Sequence, residues 1–154
     1  VSSDAVVAIT ETPRNRRQEE TFRKVLSAGV DMLRESSYAD LTVRAVAARA
    51  KVAPATAYTY FSSKNHLIAE VYLDLIRQVP YFTDVNDTMT DRVDQALRSM
   101  VLMLADEPEV AAACTTALLS NGDAAVRTVR ERIGAEIHKR ITSAIGPGAD
   151  GRKV

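Results

Sequence analysis

The chain has 154 residues, 46% of them hydrophobic, with 20 Lys and Arg against 20 Asp and Glu. That suffices for one domain or two small ones and excludes a large multidomain assembly and wholesale disorder. Zero net charge excludes a partner chosen by bulk electrostatics, so the position of charge matters instead. Over residues 1–64 ten Lys and Arg face seven Asp and Glu, and over the remainder ten face thirteen, so the positive excess lies in the first part.

Cys114 is the sole cysteine, so no intrachain disulfide forms and a reducing cytoplasm is the expected location. The longest apolar run, residues 100–105, is far shorter than the roughly 20 residues of a membrane-spanning helix. Asp4, just ahead of residues 5–9, replaces the basic flank of a signal peptide. No membrane partner is expected.

Residues 1–17 end in Arg14, Arg16 and Arg17 with no sustained period, and read as a flexible basic arm. From about residue 18 to 36, Phe22, Val25, Leu26, Gly29, Met32 and Leu33 recur at three and four residues, the period of one helix face. Thr42 is suited to cap a short second helix carrying Val43, Val46, Ala47 and Ala50. After a connection at 51–53, Pro54 opens a third helix of about two turns, where a first-turn proline is tolerated.

Ser62 or Ser63 caps a fourth helix with Leu67, Ile68, Val71, Leu75 and Val79 on its apolar face, stopped by Pro80. A fifth presents Val93, Ala96, Leu97, Met100, Val101 and Leu104, widened by Leu102 and Met103. An Ala-rich sixth, about 109–119, lies between Pro108 and the turn signal Asn121-Gly122-Asp123. The last carries Val126, Val129, Ile133, Ile137 and Ile141 at nearly coiled-coil spacing. No strand pattern competes, so the expected fold class is all-α.

The segment 42–61 has the parts of a helix-turn-helix: two short helices, a tight turn, and a second helix bearing small and hydroxylated side chains that fit a major groove. Pro54 and Ala55 let backbone amides approach a phosphate, and Thr56, Tyr58 and Thr59 can point outward. Tyr60 and Lys64 add a phenolic donor and a cation, while Phe61 falls between the exposed faces and is expected in the core.

The run Leu41-Thr42-Val43-Arg44-Ala45-Val46-Ala47, followed by Thr56-Ala57-Tyr58-Thr59-Tyr60-Phe61-Ser62-Ser63-Lys64-Asn65-His66-Leu67, resembles the TetR family of transcriptional regulators. The family pattern Thr-Leu-Tyr-x-Tyr-Phe-x-x-Lys-x-x-Leu is matched except for Ala57 at the first Leu. The resemblance covers roughly residues 18–80. It implies an amino-terminal three-helix DNA-binding domain over 18–64, joined by a fourth helix to a helical effector-binding and dimerisation domain over 65–154. It also implies a homodimer on a palindromic double-stranded operator, released by a small-molecule effector, with repression as the expected outcome.

Carried over by residue, Thr42 would hold a phosphate and Arg44 a phosphate or base edge. Ala55, Thr56, Tyr58 and Thr59 would face the groove, Tyr60 and Lys64 would clamp flanking phosphates, and Arg14, Arg16 and Arg17 would reach along the backbone or into the minor groove. Three departures stand out. Lys51 occupies a common glycine position, which implies a left-handed backbone at some cost. Pro54 and Ala55 replace positions often basic and glycine, so contacts there should be fewer or differently shaped. The family's two long carboxy-terminal dimerisation helices would fall after Val154, so the chain is expected to continue, with the isoleucine stripe as the alternative dimer face.

The expected effector is hydrophobic and touches Tyr72, Phe82, Met100, Met103, Leu104, Cys114 and Leu118, where methionines and small alanines make an adaptable cavity or else fill a dry core. No cofactor or metal is expected: His66 and Glu70 are four apart without a third ligand and read as a surface pair, and Cys114 reads as a buried thiol. No nucleophile-elbow, Walker or dinucleotide signature supports an enzyme. The alternative function is a helical protein-interaction module docking through residues 133–141.

Overall fold

The structure, a computed structural model, describes residues 13–147. Among the described residues the elements are α1 Arg16–Glu35, α2 Val43–Arg49, α3 Pro54–Tyr60, α4 Lys64–Gln78, α5 Met89–Ala105, α6 Pro108–Leu118 and α7 Ala124–Ile145, with no strand. The all-α reading holds.

Local chemistry sets the boundaries. Asn15 and Gln18 form a reciprocal capping box, so α1 begins at Arg16, two residues earlier than periodicity suggests. Arg16 and Arg17 therefore belong to a helix rather than an arm, and residues 1–12 of the expected arm lie outside the described residues. Thr42, Ser63, Thr88 and Asp123 each accept an amide hydrogen bond at the start of α2, α4, α5 and α7. Pro54 and Pro108 occupy the first turns of α3 and α6, where a missing N–H costs nothing. At the end of α7, Arg92 donates to the carbonyls of Ala144 and Ile145.

The turn between α2 and α3 is a left-handed stop. Lys51 has φ 56°, the amide of Val52 donates to Ala47 O at 2.9 Å, and that of Lys51 donates to Ala48 O at 3.1 Å. This pair of bonds is the Schellman arrangement, which turns the chain sharply enough to set α3 across α2. The expected left-handed lysine is present.

One hydrophobic cluster joins α1, α2, α3 and α4 to α6: Phe22, Val25, Leu33, Val46, Ala57, Phe61, Leu67 and Val71 are continuous with Val110, Ala113, Cys114 and Ala117. The core thus crosses the boundary drawn after Lys64. Helices α1 and α4 approach so closely that a Cβ on Gly29 would lie 2.8 Å from Leu67 Cδ2. A second cluster joins Ala69, Leu73 and Ile76 of α4 to Val126, Val129 and Ile133 of α7, with Ile137 packed against it.

Two expectations need correction. The seventh helix's stripe is turned inward onto α4 at Val126, Val129 and Ile133, with Ile137 packed against them, so that part of it is no free dimerisation or docking face. Conversely, α5 buries only Ala96 fully, and Leu97, Val101 and Leu102 stand 50%, 70% and 56% exposed. A helix apolar around most of its circumference cannot turn every side toward α6 and α7 at once.

Candidate nucleic-acid interface

Helix α3 is fixed from behind and open in front. Ala57 is its one buried residue, and Phe61 just after it is fully buried, stacked on Phe22 with ring centroids 5.0 Å apart. Because Ala57 points inward, Pro54, Ala55, Thr56, Tyr58 and Thr59 all face out. No side chain caps α3 at Ala53, which leaves the positive end of the helix uncovered. The hydroxyl of Thr59 donates to Thr56 O at 2.5 Å, so its lone pairs face outward as acceptors.

The flanking side chains form a rim around that face. Thr42 is exposed and its hydroxyl oxygen accepts from the amide of Ala45 at 3.1 Å, leaving its proton available. Arg44 is exposed in the first turn of α2. Tyr60 is half-buried, its ring edge-on to Phe22 at 6.3 Å, and packs against the core while keeping partial exposure. Lys64 is half-buried: its ammonium donates to Tyr38 O at 3.0 Å and lies 4.1 Å from the centre of the Tyr38 ring. Arg14 sits 3.7 Å over the ring of Phe22 and reaches Glu19 at 3.4 Å, and Arg16 is almost wholly exposed.

The residues expected around an effector are partly brought together. Tyr72, Leu104 and Cys114 meet in the first cluster, and Tyr72, Met103 and Leu118 in the second, so Tyr72 bridges the two. Phe82 lies in the connection before α5 and Met100 on α5, both half-buried and outside either cluster. Burial pushes the Cys114 thiol up to about 12 and also raises the Tyr72 phenol, with the sulfur adding to the latter. An open groove of about 940 Å³ lies elsewhere, lined by Thr83, Arg92, His138, Lys139 and Thr142 among others.

The pair His66 and Glu70 is not on the surface. Glu70 is 4% exposed, 3.5 Å from His66 Nε2, and accepts from Arg132 Nη1 at 2.9 Å. The amide of Ser62 donates to His66 Nδ1 at 3.1 Å, which leaves the ring proton on Nε2, toward the carboxylate. Among the described residues no three His, Cys, Asp or Glu gather as a metal site, and no helix is long and apolar enough to cross a membrane. Arg132, Arg140 and Asp123 escaped sequence reasoning; of these, only Asp123 carried a signal, as a capping residue after a turn.

This fold and surface define a helix-turn-helix unit continuous with a helical body. Residues 25–71 match the family described as bacterial regulatory proteins, tetR family. An uncharacterized HTH-type transcriptional regulator of Mycobacterium tuberculosis is 75% identical over 138 residues, covering 89% of this chain and 65% of the relative. Another, from Bacillus subtilis, is 34% identical over 80 residues, 52% of this chain and 40% of the relative. The chain thus spans less than two thirds of the length of the mycobacterial relative. A TetR transcriptional regulator from a Rhodococcus species shares the fold, with TM-score 0.75, 24% identity and 86% of this chain and 72% of that one covered.

Proposed function

We propose that the protein is a DNA-binding transcriptional regulator that grips an inverted-repeat operator as a homodimer, represses, and lets go when a hydrophobic small molecule binds its helical body. One observation carries this reading: α3 presents Ala55, Thr56, Tyr58 and Thr59 outward while Ala57 and Phe61 lock its back to the core. A two-turn helix so held fits a major groove, and the rim of Thr42, Arg44, Tyr60 and Lys64 matches the phosphates on either side. Arg44 and the four outward residues of α3 read bases, and the rim supplies salt-dependent affinity.

For two such helices to enter successive major grooves on one face, they must sit about 34 to 36 Å apart. The effector, on this reading, enters where Tyr72, Met103, Leu104, Cys114 and Leu118 converge, with Phe82 and Met100 at the edge. Flexible methionine gives that junction room to repack around an apolar guest.

Selection of bound fragments from a pool of random duplexes tests the proposal directly. It expects an inverted repeat and an affinity that falls steeply as salt rises. Recovery of no common sequence, with no salt-dependent binding to any duplex, rejects it.

A further inference from the structure

One hydrogen-bonded pair lies directly on the link between α3 and the body of the molecule. Phe61 ends α3 in the core, and only Ser62 and Ser63 separate it from α4. Ser63 Oγ accepts from the amide of His66, capping α4, and donates its own proton to Asp123 Oδ2. The other carboxylate oxygen of Asp123 accepts from the amides of Ala125 and Val126, capping α7. Two helix starts, 60 residues apart in sequence, therefore share one serine and one aspartate.

The same two helices are tied farther along by Glu70 to Arg132, and at the end by Arg140, which donates to Arg77 O and Val79 O. The matched pairs ascend together in both helices, so α4 and α7 run parallel. Of the three ties, the first lies nearest α3 in sequence, and the second reaches it only through His66, which accepts from the amide of Ser62. The first is also joined to the exposed turn Asn121-Gly122, which connects α6 to α7.

We propose that Asp123 is a positioning residue for the DNA-reading helix: its two oxygens clasp the starts of α7 and α4, set the angle at which α3 leaves the body, and pass any shift at the α6–α7 turn to the DNA. The inference rests on the DNA-binding reading above. It assigns specificity control to a residue outside the helix-turn-helix and touching no DNA.

The test compares the whole chain with Asp123→Ala, Asp123→Asn, Ser63→Ala, the Ser63→Ala/Asp123→Ala pair and, as a control, Thr88→Ala. Thr88 caps α5 in the same way but has no tie to α4. The readout is the ratio of affinity for a duplex selected by the wild-type protein to affinity for random duplex, measured at fixed salt. Asp123→Ala should lower the ratio by about tenfold, within the usual range of coupling between sites. Asp123→Asn, which retains the α7 cap but offers Ser63 a donor instead of an acceptor, should lower it less. Thr88→Ala should leave it unchanged, and the double variant should fall short of the product of the two singles.

Hydrogen exchange in the free proteins should quicken at the first turn of α4 in Asp123→Ala and in Ser63→Ala and not in Thr88→Ala. An unchanged ratio in Asp123→Ala overturns the inference, as does an equal drop in Thr88→Ala or strict additivity of the double variant. A wild-type protein that binds no duplex at all instead rejects the DNA-binding reading, and this role with it.

Discussion

Lys64 holds its ammonium 3.0 Å from Tyr38 O and 4.1 Å from the centre of that ring, so the position of the cation is set by Tyr38. The hydroxyl of Tyr38 in turn donates to Asn65 Oδ1, which steadies the ring from the next residue along α4. An ammonium has three donors and one bond to Tyr38 leaves two for an anion. On the proposed reading, this preordering lowers the entropy lost when the long side chain engages a phosphate.

Lys64→Ala is therefore expected to weaken selected and random duplexes alike and to flatten the log-affinity against log-salt slope by about one phosphate per protomer, close to 1.8 for the proposed dimer. Gel-shift titrations at several salt concentrations measure both quantities. Unchanged slope and affinity would remove Lys64 from the phosphate rim.

Thr59 and Tyr60 are neighbours with opposite expected behaviour. Thr59 is exposed on the outward face of α3, whereas Tyr60 packs its ring on Phe22 and Phe61. Thr59→Ala should alter base preference at one position of each half-site by about 1 kcal/mol or more. Tyr60→Phe, which keeps the packing and removes only the hydroxyl, should weaken every sequence equally. Repeating the random-duplex selection with each variant separates the two effects, and an unaltered motif for Thr59→Ala counts against base reading there.

Lys51 holds a left-handed backbone with φ 56° at the stop between α2 and α3. A side chain in that region costs about 1–2 kcal/mol, part of which glycine forfeits through its looser unfolded chain. Lys51→Gly should stabilise the fold by roughly 0.5–1 kcal/mol, and Lys51→Ala, which stays strained, should not. Urea unfolding midpoints at constant slope decide between them.

Local signals carried much of the fold. Prolines, caps and a three-to-four-residue period placed all the helices, and α3 was legible because its inward and outward residues lie within two turns of one another. What stayed hidden depends on pairing across sequence. Glu70 meets Arg132 from 62 residues away and Lys64 meets Tyr38 from 26 away, and neither spacing leaves a periodic trace. Periodicity also failed where a helix is apolar on too many sides. On α5 it identified candidates for burial but could not say that Leu97 and Val101 would be left outside. For α7 the isoleucine spacing marks a seam without naming what fills it, and the structure shows α4 packed there against Val126, Val129 and Ile133.

Cys114 gives a probe of the body without touching DNA. It is buried in the cluster joining α6 to α1, α2, α3 and α4, and burial raises its thiol to about 12. At neutral pH the thiolate is scarce and the sulfur shielded, so a thiol reagent should react much more slowly with the native protein than with the urea-unfolded chain. A hydrophobic effector lodged beside Tyr72 should slow the reaction further. Rapid, stoichiometric labelling of the native protein would show that this part of the core opens freely.

Acid stability provides the last check, because two carboxylates are shifted in the same direction. The Ser63 hydroxyl lowers Asp123 below its ordinary value of 3.8, with help from the amides of Val126 and Ala125 and from His66, against a smaller effect of burial. Burial raises Glu136, but its bonds to Arg140 and the charge of Arg77 outweigh that and leave it below 4.5. A folded-state value beneath the unfolded one means stability that is fully present above the unfolded value and lost as pH falls through the folded one. Unfolding free energy should therefore be level with respect to these two groups near neutrality and decline below about pH 5. Asp123→Asn should reduce the steepness of that decline while leaving the Glu136 contribution in place. Denaturant titrations at stepped pH read the slope, and an identical slope in the variant would show that Asp123 is not held more tightly in the fold than in the unfolded chain.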